Sequence, residues 1–320
     1  MHPSFRTLGG LALAVATVNA QLQGFNYGAT FEDGTCRMVS DYEGAFNTAR
    51  NLVGTDGGFT AARLYTTVQC DTVNTPTSAI QAAINTNTTL LLGMWASAGD
   101  GIFEDELAAL TNAVNQYGTA FTDRVVGISV GSEDLYRSSP QGVAGEAGIG
   151  VDSATIVRYI DRVRDLIDRT PLLQDIPVGH VDTWTAWVLP ENAIVAERVD
   201  WLGHNSFPYF EATLANPIEE ADAIFYRALA ATEGVSGGKP VLVTETGWPH
   251  IGEDMNLAVA SLENARTYWA GVGCDLFGNR DTFWYTLTDA NTGQTDISFG
   301  VAGPGNPPST TPVFDLSCEA

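Results

Sequence analysis

The chain carries 38 acidic and 15 basic residues among 320, a formal net charge of -23, with Lys239 as its single lysine. That balance excludes nucleic acids and anionic membranes as electrostatic partners and favours a neutral ligand. The length suits one large α/β domain.

Residues 1–20 hold Arg6, an apolar run from Leu8 to Val18 and the small-residue end Val18-Asn19-Ala20. This is the pattern of a cleaved export signal. The run is shorter than the ~20 apolar residues that span a bilayer. The expected product is secreted, extracellular or in a cell wall, and begins at Gln21, with a single catalytic domain over 21–320.

From there short apolar runs alternate with amphipathic ones. Strands are predicted over Gly24–Gly28, Ala61–Thr67, Leu90–Trp95, Val125–Glu133, Pro177–Trp184, Val199–Pro208, Pro240–Glu245 and Thr282–Asp289. Helical spacing appears over Tyr42–Val53, Glu104–Tyr117, Ile218–Glu233 and Asn256–Trp269. It is clearest after Asp152-Ser153, where Ile156, Tyr159, Ile160, Val163 and Ile167 mark one face. Strands and helices alternating eight times predict a closed (β/α)8 barrel of the α/β class. Gly303 to Pro312 reads as a linker-like stretch.

Gly24-Phe25-Asn26-Tyr27-Gly28 is no phosphate-binding fingerprint, and no cofactor is expected. His180, His204 and His250 lack metal-ligand spacing, so no metal site is expected either. Cys36, Cys70, Cys274 and Cys318 fit an oxidising destination. Four cysteines allow three pairings; the strand order favours Cys36 with Cys70 and Cys274 with Cys318. Asn87-Thr88-Thr89 is a glycan acceptor sequon, placed away from the proposed site.

In a parallel barrel every strand delivers its last residues to one rim. Here that rim collects Asn26, Tyr27, Arg63, Tyr65, Trp95, Ser132, Glu133, Asp182, Trp184, Asn205, Tyr209, Glu245, Trp248, Trp284, Asp289 and Asn291. Amides, acids and aromatic faces together describe a sugar site. Glu133 and Glu245 each close an apolar strand. Two such carboxyls across a groove can cleave a glycosidic bond, one attacking and one donating a proton. Arg63 is placed to hold a carboxylate ionised.

Glu245-Thr246-Gly247-Trp248-Pro249, Val130-Gly131-Ser132-Glu133 and Arg63-Leu64-Tyr65 resemble glycoside hydrolase family 17, in particular its fungal cell-wall branch. The resemblance covers essentially the whole mature chain. It implies a retaining β-1,3-glucanase with Glu245 as nucleophile, Glu133 as acid/base and Arg63 supporting the nucleophile. Tyr27, Tyr65, Ser132, Asn205, Tyr209, Trp248 and Trp284 are the candidate substrate-binding residues. Ser132 stands where the related superfamily has asparagine, and Phe207 where plant members carry tyrosine, so Tyr27 or Tyr209 is the candidate for a hydroxyl contact to the nucleophile. Two rivals remain: a β-1,3-glucanosyltransferase using the same pair, and an inert glucan-binding wall protein.

Overall fold

The computed structural model describes residues 21–290 and 296–318. The expected export signal and Asn291 lie outside the described residues. Eight parallel strands close in sequence order: β1 (Gln23–Tyr27), β2 (Phe59–Leu64), β3 (Thr89–Met94), β4 (Val125–Ser132), β5 (Val178–Thr183), β6 (Trp201–Asn205), β7 (Val241–Glu245) and β8 (Thr282–Trp284). β8 pairs back onto β1, and helices fill the connections, which makes the predicted (β/α)8 barrel.

The barrel separates two apolar layers. Ala61, Leu91, Val181, Trp201, Leu242 and Phe283 fill its interior away from the rim. A larger layer lies between strands and helices, and Phe25, Leu92, Ile128 and Val243 contribute to it. Strand residues alternate between the two, as the pleat requires. Close packing leaves no room for side chains at some positions: a Cβ on Gly179 would meet the Trp201 ring at 2.2 Å.

The helix Ser153–Arg169 buries Ile156, Tyr159, Ile160, Val163 and Ile167, and Asp152 caps it by accepting the Thr155 N–H at 2.8 Å. Other boundaries differ from expectation. The helix predicted over Asn256–Trp269 begins only at Leu262, because the Ser261 hydroxyl takes the Asn264 N–H and so sets the cap. β6 ends at Asn205, and Pro208 opens a short 3-10 turn. β8 ends at Trp284; Asp289, expected on that strand, instead accepts the Phe299 and Gly300 N–H groups.

The linker-like stretch is folded. Ala302–Gly303 (β9) and Ser309–Pro312 (β10) form an antiparallel ribbon, and the Thr48 hydroxyl donates to the Pro308 carbonyl. Beyond the ribbon, Trp269 Nε1 donates to the Leu316 carbonyl and Arg266 to that of Ser317. The disulfides join Cys36 to Cys70, across the loops after β1 and β2, and Cys274 to Cys318, across the tail.

Candidate active site

β1, β2 and β7 build the surroundings of Glu245. In the β1–β2 register Asn26 stands beside Arg63. Asn26 Nδ2 donates to the carbonyls of Thr244, Phe283 and Trp284, tying β1 to β7 and β8, and its Oδ1 accepts from Arg63 at 2.6 Å. The same guanidinium nitrogen lies 2.5 Å from Glu245 Oε1, and the other terminal nitrogen reaches Ser132 Oγ at 2.9 Å. The Tyr65 hydroxyl also donates to Glu245 Oε1, at 2.9 Å. Burial and the Glu245 charge push the Tyr65 phenol well above its usual range, so it remains a donor. A cation that is 1% exposed thus meets a carboxylate that is 9% exposed, with a neutral donor beside it.

Glu133 follows β4 in a different setting. Its backbone is left-handed, φ 60°, after Gly131 at φ 81°. Non-glycine residues rarely adopt that conformation, and surrounding contacts must hold it. The Glu133 N–H donates to the Val181 carbonyl at 2.9 Å. Asn205 Nδ2 donates to its Oε1 at 2.9 Å, while Arg137 stays 3.8 Å from Oε2. A register irregularity between β6 and β7 puts Asn205 beside Glu245. Burial, followed by the Glu245 charge, pushes the Glu133 carboxyl up to about 7, against the opposing effect of Asn205. One carboxyl is held against a buried cation; the other keeps a proton near neutrality. That is the asymmetry that acid-assisted displacement needs.

The two glutamates divide a cleft. Glu133, Glu245 and Tyr285 line both of its halves. One half, of about 640 Å³, is polar and includes Asn26, Tyr65, Trp95, Ser132 and Arg137. The other, of about 680 Å³, is richer in aromatic rings: Trp184, Phe207, Tyr209, Phe210 and Phe299. Phe207 packs edge-on to Tyr285 and Phe299, with centroids 5.5 and 5.6 Å away. Trp184 Nε1 is fixed on Glu211 at 2.6 Å.

Arg63, Tyr65, Ser132, Glu133, Asn205 and Glu245 therefore come together as the sequence predicts, but Tyr27, Trp284 and Trp248 need correction, and Tyr209 does so for its hydroxyl alone. Tyr27 turns away from the cleft because Asn26 takes the inward position; its ring packs on Phe46 at 4.9 Å. Trp284 likewise faces outward, among Tyr268, Trp269 and Phe277, because its neighbour Phe283 fills the interior. Trp248 is buried behind Tyr209 and donates to the Val259 carbonyl at 3.0 Å. Tyr209 does line the cleft, but its hydroxyl donates to the Glu253 carbonyl. The hydroxyl on Glu245 belongs to Tyr65, neither to Tyr27 nor to Tyr209.

Asp182 is also off the rim; it accepts the N–H groups of Leu135 and Tyr136, two and three positions after Glu133. Phe210 and Phe299 were missed, since Phe210 lies within the 3-10 turn Pro208–Phe210 and Phe299 on no strand, where no periodicity announces them. Asn87 is exposed in a left-handed helix cap before β3.

The BtgE/BtgC glycoside hydrolase domain model matches residues 24–302. The probable glucan endo-1,3-beta-glucosidase eglC of Aspergillus fumigatus is 54% identical over 316 residues, covering 99% of this chain and 70% of that protein. The Aspergillus oryzae protein of that name is 53% identical over 308 residues, 96% of this chain and 65% of its own length. The chain thus spans about two thirds of these relatives. Among solved structures, the glycoside hydrolase family 17 beta-1,3-glucanosyltransferase of Rhizomucor miehei superposes with a TM-score of 0.73 at 26% identity, over 93% of this chain and 98% of that one.

Proposed function

We propose that this chain, which belongs to the BtgE/BtgC glycoside hydrolase family, hydrolyses internal bonds of β-1,3-glucan with retention of anomeric configuration. Glu245 attacks the anomeric carbon as Glu133 protonates the leaving oxygen. Glu133 then takes a proton from the water that releases the glycosyl-enzyme ester. The observation that carries this reading is the unequal treatment of the two carboxyls: Glu245 lies against Arg63 and Tyr65, whereas Glu133 is pushed up to about 7. An inert glucan-binding protein has no use for that asymmetry. The relatives named as glucan endo-1,3-beta-glucosidases support the substrate class. The disulfides, together with fungal glucan-modifying relatives, support an extracellular site of action; export through removal of residues 1–20 is part of the proposal.

Glu245→Ala should abolish turnover of laminarin-type oligosaccharides, and azide should restore it with a product of inverted configuration. Rescue that yields a retained product would move the nucleophile role elsewhere.

A transferase reading has its own support in the aromatic half of the cleft. Trp184, Phe207 and Phe299 can hold an acceptor sugar, which competes with ~55 M water through orientation and effective concentration. The likeness to the Rhizomucor miehei glucanosyltransferase favours it too. At millimolar oligosaccharide, products longer than the donor should precede the accumulation of shorter ones. If only shorter products form up to the solubility limit, transfer is removed and hydrolysis stands alone.

A further inference from the structure

Behind Glu133, on the helix side of the barrel, lies a buried charged cluster whose own side chains do not line the cleft. His180 on β5 is fully buried; its Nδ1 lies 2.6 Å from the Val130 carbonyl and its Nε2 2.9 Å from Asp182 Oδ2. A carbonyl has no proton to give, so Nδ1 carries one. Asp182 already accepts backbone N–H groups from Leu135, Tyr136 and Thr183, so the proton it shares with Nε2 belongs with the ring. The imidazole is then doubly protonated and positive. Asp134, from the helix Asp134–Ser138, is the second acid whose charge faces it. Trp187 covers its edge from the helix Trp184–Trp187 at 5.5 Å.

The anions of this cluster hold the acid/base segment from both sides. Asp134 accepts the Ser132 N–H at 2.8 Å and the Ser97 hydroxyl. Asp182 accepts those of Leu135 and Tyr136, at 2.9 and 3.2 Å. Between these anchors stands Glu133 with its left-handed backbone. Gly131 is part of the same packing, because a Cβ there would fall 2.2 Å from Asp134 Oδ2. Asp134 and Asp182 are both buried and the charges of both act on the His180 ring, so a cation there supplies the compensation that buried carboxylates need.

We propose that His180 is a positioning residue for the general acid: as an imidazolium it allows Asp134 and Asp182 to stay together, and through them it fixes the strained turn that aims Glu133 at the leaving oxygen. This rests on the assignment of Glu133 as acid/base. Burial opposes the charged ring, but the Asp182 hydrogen bond and the Asp182 and Asp134 charges together outweigh it and raise the affinity of His180 for its proton, in the direction the geometry requires.

The test compares leaving groups. Laminari-oligosaccharides need protonation as they depart; a 2,4-dinitrophenyl β-laminaribioside does not. His180→Gln should lower kcat on the oligosaccharide ~10²-fold with KM changed less than about threefold, as expected when an acid is displaced by about an ångström. Formation of the glycosyl-enzyme from the dinitrophenyl donor should be nearly unchanged, and azide should accelerate its turnover, since the base is displaced too. Asp182→Asn should reproduce the same pattern. Equal losses on both donors, or none on either, would overturn the inference. Glu133→Ala serves as the reference. If it shows no leaving-group discrimination, the acid/base assignment fails; if it does and His180→Gln does not, only the role of His180 fails. A measurement on the unaltered protein needs no variant to fold. With four histidines in the chain, 15N spectra of labelled histidine should show His180 with both ring nitrogens protonated at neutral pH. A neutral tautomer there would also overturn the proposal.

Discussion

Asn205 donates to Glu133 Oε1 at 2.9 Å, and that bond opposes the burial and charge repulsion that push the carboxyl up to about 7. The sign of its effect on catalysis follows. As the proposed general acid, Glu133 must carry a proton when the substrate bond breaks, so kcat/KM should fall as pH rises through about 7. Asn205 favours the ionised form. Its loss in Asn205→Ala should raise the Glu133 pKa further and move the basic limb of the pH profile to higher pH, with a lower maximum. A limb that stays in place or moves down would contradict this account. Arg63→Lys should cost ~10²-fold or more in kcat at constant pH, because a single ammonium cannot span Asn26, Ser132 and Glu245 as the guanidinium does. Steady-state kinetics on laminaritriose would decide it. Glu133, Glu245 and Arg63 were legible in the sequence because each ends or nearly ends an apolar strand. The aromatic residues were not: Tyr27 and Trp284 are each one position from an inward-facing residue, Asn26 and Phe283, and a step of one reverses the face.

Strands show the same limit in another form. Eight apolar runs were enough to predict the barrel, since a parallel strand buried on both faces needs little alternation. Their ends were less legible. β6 gives way to a turn opened by Pro208, and beyond β8 the Thr286 and Leu287 carbonyls accept the N–H groups of Val301 and Ala302, partners distant in sequence. Tight contacts between strands are similarly silent in one sequence, as at Gly179, where a Cβ would overlap the Trp201 ring. Gly179→Val should therefore destabilise the fold by ~1–3 kcal/mol or more through overpacking of the interior. Urea unfolding gives the measurement; an unchanged midpoint would mean that Trp201 can shift at little cost.

At the scale of the molecule, the tail is held at several points. The β9–β10 ribbon, the Trp269 bond to Leu316 and the Cys274–Cys318 disulfide return the chain to the helical shell. The bridge spans 44 positions in sequence, and replacing both cysteines by serine should cost about 4 kcal/mol on the loop-closure model. Thermal unfolding of that variant, beside one lacking Cys36 and Cys70, would rank the two bridges. Sequence composition made the tail look linker-like, because proline and glycine mark tight turns as readily as linkers. The cleft is split at Glu133 and Glu245 into two halves of similar size. A polymer lying across that split is cut in its interior, and the number of sites at risk grows with its length. Each early cut then removes a large share of the average chain length while creating a single new reducing end. A solution of long glucan should lose its viscosity while its reducing-sugar signal has barely risen.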